Sequence, residues 1–157
     1  MSSTSTNSRR TVRVEATGEV GAAARDTYRM IADYRTGHTR VIPQKYFRNL
    51  CVERGGYGSG TIINYDLIMF GKTNHGRAEV TEPDPGRVLM ETDAGQNIVT
   101  TFTVDEVDAS RSRVTIATEL PTRGGIAGSI ERFVIRSFLR RVYADELAQL
   151  DREVRIG

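Results

Sequence analysis

Between residues 46 and 120 the chain reads as strand after strand, and directly behind them stands one long helical stretch, "GGIAGSIERFVIRSFLRRVYADELAQL", from Gly124 to Leu150. The strand-like segments "YFRNLCVER", "TIINYDLIMF", "HGRAEVTE", "RVLMET", "IVTTFTVDEV" and "SRVTIATEL" are parted by "GGYGSG", "FGKTN", "EPDPG" and "DAGQN", which are turn compositions. Successive strands joined by such short turns form a meander, so the sheet is antiparallel and curved. A curved sheet has a concave face to bury. The final helix is the one element long enough to lie across it.

Ahead of the meander, "TVRVEATGEV" alternates Val12, Val14 and Ala16 with Arg13, Glu15 and Thr17, the period of a half-buried strand. "VGAAARDTYRMIADY" then repeats its apolar positions Val20, Ala24, Tyr28 and Ile31 at helical spacing, and "RTGHTRVIP" gives a shorter helix or loop ending before Pro43. The expected order is one strand, two short helices, six strands and one long helix: an α+β fold with a seven-stranded antiparallel sheet wrapped around the C-terminal helix.

Composition narrows the function classes. A length of 157 residues, 38% hydrophobic and 27% charged, suits a single globular domain, placed at residues 11–155. The opening "MSSTSTNSRR" reads as a disordered leader over residues 1–10. It lacks the apolar run of a secretory signal, and no stretch is long enough to span a bilayer. Cys51 is the sole cysteine, so no internal disulfide forms, and the reading is a cytoplasmic protein. A net charge of +2 with mixed signs gives no pull toward nucleic acid. Only Lys45 and Lys72 among the 22 basic residues are lysines, and Arg132, Arg136 and Arg140 recur along the last helix as a solvated ridge.

The element order, with "ADY" after the first helix, "AEVTEPDPGRVLMET" in the middle and "IERFVIRSFLRRVYADELAQL" at the end, resembles the START-like (helix-grip) superfamily. More narrowly, it is similar to the bacterial polyketide cyclase/dehydrase and lipid-transport group. The resemblance covers nearly the whole folded chain. It implies a cavity between the sheet and the last helix that takes an apolar small molecule of lipid, polyketide or quinone type. Some members of the group perform cyclisation or dehydration in that cavity. It implies no cofactor and transfers no catalytic motif. By the same resemblance Tyr34, His38, Val41 and Ile42 fall where the cavity entrance is expected.

No standard catalytic pattern is present. His38 and His75 have no metal-ligand spacing, no serine sits in a nucleophile elbow, and "GGYGSG" joins two strands with no helix N-terminus to receive a phosphate. Strand parity supplies the candidates instead. The inward sets are Ile63, Tyr65, Leu67 and Met69; Asn74, Gly76, Ala78 and Val80; Ile98, Thr100, Phe102 and Val104; and Val114, Ile116, Thr118 and Leu120. Tyr65 is either a core tyrosine or a ligand contact. His75, on the outward face or the rim, joins it as the acid/base candidate. Glu91 reads as a solvated strand residue.

The last helix carries Ile126, Ile130, Phe133 and Val134 on one side, with Leu139, Val142, Tyr143, Leu147 and Leu150 on nearly the other. The expected reason is two partners, with Ile126, Ile130 and Phe133 covering the cavity and the later set packing in the core. The cavity set is therefore Tyr34, Ile63, Tyr65, Leu67, Met69, Asn74, Thr100, Phe102, Thr118, Ile126, Ile130 and Phe133. Three functions remain open: a binder or carrier, a cyclase/dehydratase-type enzyme, and an accessory interaction module. The chain is expected to be a monomer or homodimer.

Overall fold

A computed structural model describes residues 10–157. The leader therefore lies outside the described residues except for Arg10, which is the first residue of a strand. The elements in order are β1 (Arg10–Val20), α1 (Ala24–Ala32), α2 (His38–Val41), β2 (Phe47–Arg54), β3 (Ile62–Met69), β4 (Lys72–Asp84), β5 (Val88–Asp93), β6 (Ile98–Asp108), β7 (Arg111–Thr122) and α3 (Gly125–Ile156). All seven strands form one antiparallel sheet in the order β1-β7-β6-β5-β4-β3-β2. This is the helix-grip arrangement: a meander from β2 to β7, closed at its far edge by β1.

Alternation sets the faces. In β1, Val12 and Val14 are buried while Arg13 points out, donating to Glu119 at 2.9 Å across the pair with β7. The concave face collects Ile63, Ala78, Val80, Leu89, Phe102, Val104, Val114 and Ile116, on which α3 lays Ile135, Leu139, Val142, Tyr143, Leu147 and Leu150. Phe70 and Gly71 both have positive φ between the paired Met69 and Lys72, so a tight two-residue turn joins β3 to β4.

The sheet's two edges, β1 and β2, are neighbours in sequence, so α1 and α2 carry the chain from one to the other. In α1, Thr27, Tyr28, Ile31 and Ala32 form the buried stripe. The "GGYGSG" loop holds this connection down: Tyr34 N–H donates to the Gly56 carbonyl at 2.9 Å, and Gly58 N–H donates to the Ala32 carbonyl at 2.9 Å. The glycine cluster is thus a strap between the helices and the sheet. It fixes Tyr34 and His38 over the concave face.

Candidate functional site

A cavity of about 60 Å³ lies between the concave face and α3. His38 of α2 and Ile42 just after it form its roof, Phe47 and Leu50 of β2 one flank, Ile63 and Tyr65 of β3 the floor. Glu91 of β5, Thr100 and Phe102 of β6, and Tyr143 and Glu146 of α3 complete it. For an interior otherwise built of aliphatic and aromatic groups, this wall carries an unusual density of titratable side chains.

Glu91 is the first of them. It shares strand parity with the fully buried Leu89, which turns it inward, and only 15% of its side chain is exposed. Tyr34, itself buried, donates its hydroxyl to Glu91 at 2.5 Å. His38 stacks on Tyr34 with ring centroids 4.5 Å apart and meets Phe102 edge-on at 5.6 Å. Its Nδ1 is 2.8 Å from the Ile31 carbonyl, which can only accept, so Nδ1 carries the proton and Nε2 is the nitrogen facing Glu91, at 3.6 Å. Burial and the neighbouring Glu91 charge push the Tyr34 phenol well above its ordinary value, so it stays a donor. The reading of Glu91 as solvated is therefore corrected: its carboxyl is held inside by a phenol and an imidazole.

Glu146 is the second. It is 3% exposed and has no hydrogen-bond partner among the described residues, although it borders the cavity. Burial, followed by the charge of Glu91, pushes its carboxyl up to about 8. The neutral acid is consequently the dominant form at pH 7.

Two further networks shape the walls. Tyr143 and Thr118 share a short hydrogen bond, and Thr118 reaches Thr100 at 2.8 Å. Thr100 and Tyr143, at the two ends of this network, border the cavity, and Thr118 between them is buried behind its wall. Tyr65 lies over Gly76, its paired residue on β4, so closely that a Cβ there would come within 2.2 Å of the ring's Cζ. Gly76 is what lets the ring, with its hydroxyl, lie against the β4 backbone. Burial first, then the charges of Glu91 and Asp93, raises the Tyr65 phenol above its usual value.

Of the residues assigned from sequence, Ile63, Tyr65, Thr100 and Phe102 border the cavity, while Tyr34 and Thr118 stand directly behind its wall. Leu67 packs against the core further along β3, and Met69 and Asn74 are half-buried near the hairpin end, outside the cavity wall. Of the four residues expected at an entrance, all are buried, and His38 and Ile42 are parts of the wall.

Other expectations differ from the structure. His75 points outward with 82% of its side chain exposed and is bonded to Asp66, because β4 turns Gly76 rather than His75 toward the core. It cannot act in the cavity from there. Ile126, Ile130 and Phe133 do not cover the cavity either: they lie on the outer side of α3, with Ile126 84% and Phe133 72% exposed. α3 extends about 48 Å over its 32 residues, and apart from Gly128 its buried stripe begins only at Ile135. The first turns overhang the sheet. Glu146, Tyr143, Phe47 and Leu50 were missing from the sequence-based set. Glu146 had a visible signal, since it sits four residues from both Val142 and Leu150 inside an otherwise apolar stripe.

A larger depression of about 610 Å³ lies between α1 and the C-terminal end of α3, bordered by Asp26, Arg29, Asp33, Arg40 and Arg155. It is an open, polar surface groove bordered by exposed charges, with no counterpart of the buried Glu146. Among the described residues no three His, Cys, Asp or Glu side chains group together to hold a metal ion, and no helix is long and apolar enough to cross a membrane.

Comparison with known structures agrees with this architecture. The KanY protein solved in solution superposes with a TM-score of 0.81 at 24% identity, over 93% of this chain and 99% of that one. The Zhui aromatase/cyclase from Streptomyces sp. R1128 gives 0.73 at 16% identity, over 93% and 94%. A START-superfamily protein from Mycobacterium smegmatis gives 0.71 at 11%, over 89% and 97%. At these identities the likeness is one of fold. No curated protein matches the sequence. The family model described as polyketide cyclase/dehydrase and lipid transport matches residues 11–155. On that match, spanning the sheet, the cavity and the gripped helix, the chain belongs to the polyketide cyclase/dehydrase and lipid-transport family.

Proposed function

We propose that this chain binds a largely apolar small molecule, of lipid, polyketide or quinone type, in the cavity between the sheet and α3, as a binder or carrier. The observation that carries the reading is Glu146: a carboxyl buried to 3% exposure with no protein partner is a group waiting for one. Apolar walls around a few convergent polar groups are the usual make-up of a small-molecule site. The volume of about 60 Å³ holds no more than a few waters, so a larger ligand enters by displacing a wall. β2 is the suitable wall, being an edge strand with two register shifts and a left-handed Asn49, and it supplies Phe47 and Leu50. In this reading the protein works in the cytoplasm, as a monomer or homodimer, with no nucleic-acid partner.

Native purification followed by organic extraction and mass spectrometry tests the proposal, with displacement of an environment-sensitive apolar dye as a second measurement. A co-purifying apolar compound or competitive dye binding is expected. Protein that emerges empty and binds no apolar dye removes the reading.

A second reading, acid/base catalysis of the cyclase or dehydratase type, is favoured by one observation: Glu91, His38, Tyr65 and Glu146 border the same cavity. In it Glu146 supplies the proton and Glu91 receives one. Glu91→Gln and Glu146→Gln variants assayed on a poly-β-ketone test this. Undiminished turnover in both removes the assignment.

A further inference from the structure

We propose that the cavity is selective for a ligand bearing a protonated amine, with Glu146 as the group that pairs with it and Glu91 as the supporting charge. The inference deepens the small-molecule reading above and rests on it.

The cavity wall carries two carboxyl groups and no arginine or lysine to answer them. The titratable groups bordering the cavity with Glu146 are His38 from α2, Tyr65 from β3, Glu91 from β5 and Tyr143 one turn back in α3, with Tyr34 immediately behind Glu91. None is an arginine or lysine, although the chain has 22 of them. Glu91 already has Tyr34 at 2.5 Å and His38 Nε2 at 3.6 Å. Even with His38 protonated, its single charge answers only one of two carboxylates. Glu146 is left over, nine-tenths and more buried, and aimed into the space a ligand would fill.

A monocation with N–H donors suits this place: as Glu146 releases its proton to solvent, the cation neutralises the carboxylate that forms and gives its oxygens hydrogen-bond partners away from water. A ligand carboxylate, phosphate or sulfate in the same position would meet two carboxyl groups and no arginine or lysine, with His38 already facing Glu91. The aromatic surroundings, Phe47, Tyr65, Phe102 and Tyr143, suit an amine carried on an apolar or aromatic body.

Proton linkage gives this proposal a signature of its own. Glu146 holds its proton up to about pH 8 in the empty cavity, so an ammonium ligand must displace that proton at lower pH. Amine affinity therefore rises by up to about tenfold per pH unit toward pH 8 and levels off above it, until the amine itself loses its proton.

The test compares benzylamine with benzyl alcohol, matched in size, by calorimetric or NMR titration of the intact chain between pH 6 and 8.5. The expected result is an amine preference of at least about tenfold at pH 8, shrinking as pH falls, and reduced to within about twofold in Glu146→Gln. Equal binding of the two probes overturns the inference and leaves the cavity reading standing. An amine preference that persists unchanged in Glu146→Gln, or that is flat with pH in the unmodified protein, also overturns it. Binding of neither probe removes this inference and the small-molecule reading together. The pH series on the unmodified protein decides the matter even if the variant folds poorly.

Discussion

Tyr65 lies flat on Gly76 across the β3–β4 ladder, and the distance from an added Cβ to the ring's Cζ, 2.2 Å, leaves no room for a methyl group. Gly76→Ala must displace the ring, and overpacking of this kind destabilises by about 1–3 kcal/mol. Removing the ring should cancel most of that effect. Urea denaturation of Gly76→Ala, Tyr65→Leu and the double variant is therefore expected to be non-additive, the alanine adding little once Tyr65 is gone. Additive losses would show that the glycine serves some other need.

Tyr34→Phe deletes one hydroxyl without altering the shape of the core. Glu91 loses its strongest partner, and a hydrogen bond to a charged acceptor contributes about 1.5–3 kcal/mol. Denaturation midpoints near neutral pH should fall accordingly. A variant as stable as the parent would mean that cavity water replaces the phenol without loss.

Glu146 makes stability depend on pH in a direction opposite to that of most surface carboxylates. Its folded value, about 8, lies above the ordinary 4.5, so over that window the folded state keeps a proton that the unfolded state has released. Its contribution is fully present below 4.5 and is lost progressively as pH rises through 8, by a few kcal/mol in all. Melting temperatures measured from pH 4.5 to 9 should fall more steeply for the parent than for Glu146→Gln. Parallel curves would contradict the burial of this carboxyl.

On α3 the two apolar sets should behave differently. Phe133→Ser, on the overhanging turns, is expected to change stability by less than about 0.5 kcal/mol, whereas Leu139→Ala in the gripped stripe should lose about 2–5 kcal/mol. Similar losses for the two would mean that a partner covers the outer face in solution.

The periodicities made the frame legible because the fold uses the two simplest ones. Period two gave every inward set on β3, β4, β6 and β7, and the turn clusters separated the strands. The site was harder to read. Parity placed Glu91 and Leu89 on one face, yet a glutamate on that face argued for solvent until Tyr34 and His38, more than fifty residues earlier, were seen to reach it. Glu146 was obscured for the same reason: a charged residue within an apolar stripe looks like a gap in the pattern. Ile126, Ile130 and Phe133 show the converse, since a helical apolar face records a periodicity and says nothing about whether another element stands opposite it. His75 was correctly placed on the outer face by parity, and the outer face keeps it from the cavity.

The closure of the sheet by β1 has a kinetic consequence. β2 to β7 are joined by short connections and can assemble as successive hairpins, but β1 pairs only with β7, matching Arg10 to Thr122 and Val20 to Ser112. That pairing joins the first strand to the last across the whole meander and must await most of the sheet, because long loop closures gain contacts late. Pulse-labelled hydrogen exchange during refolding should show the β3–β4 and β5–β6 amides protected before those of β1. Simultaneous protection would argue for a nucleus that already pairs the first strand with the last. If β1 docks last, α3, which packs against β1, settles late as well, and Tyr143 and Glu146 take their places at the cavity only then.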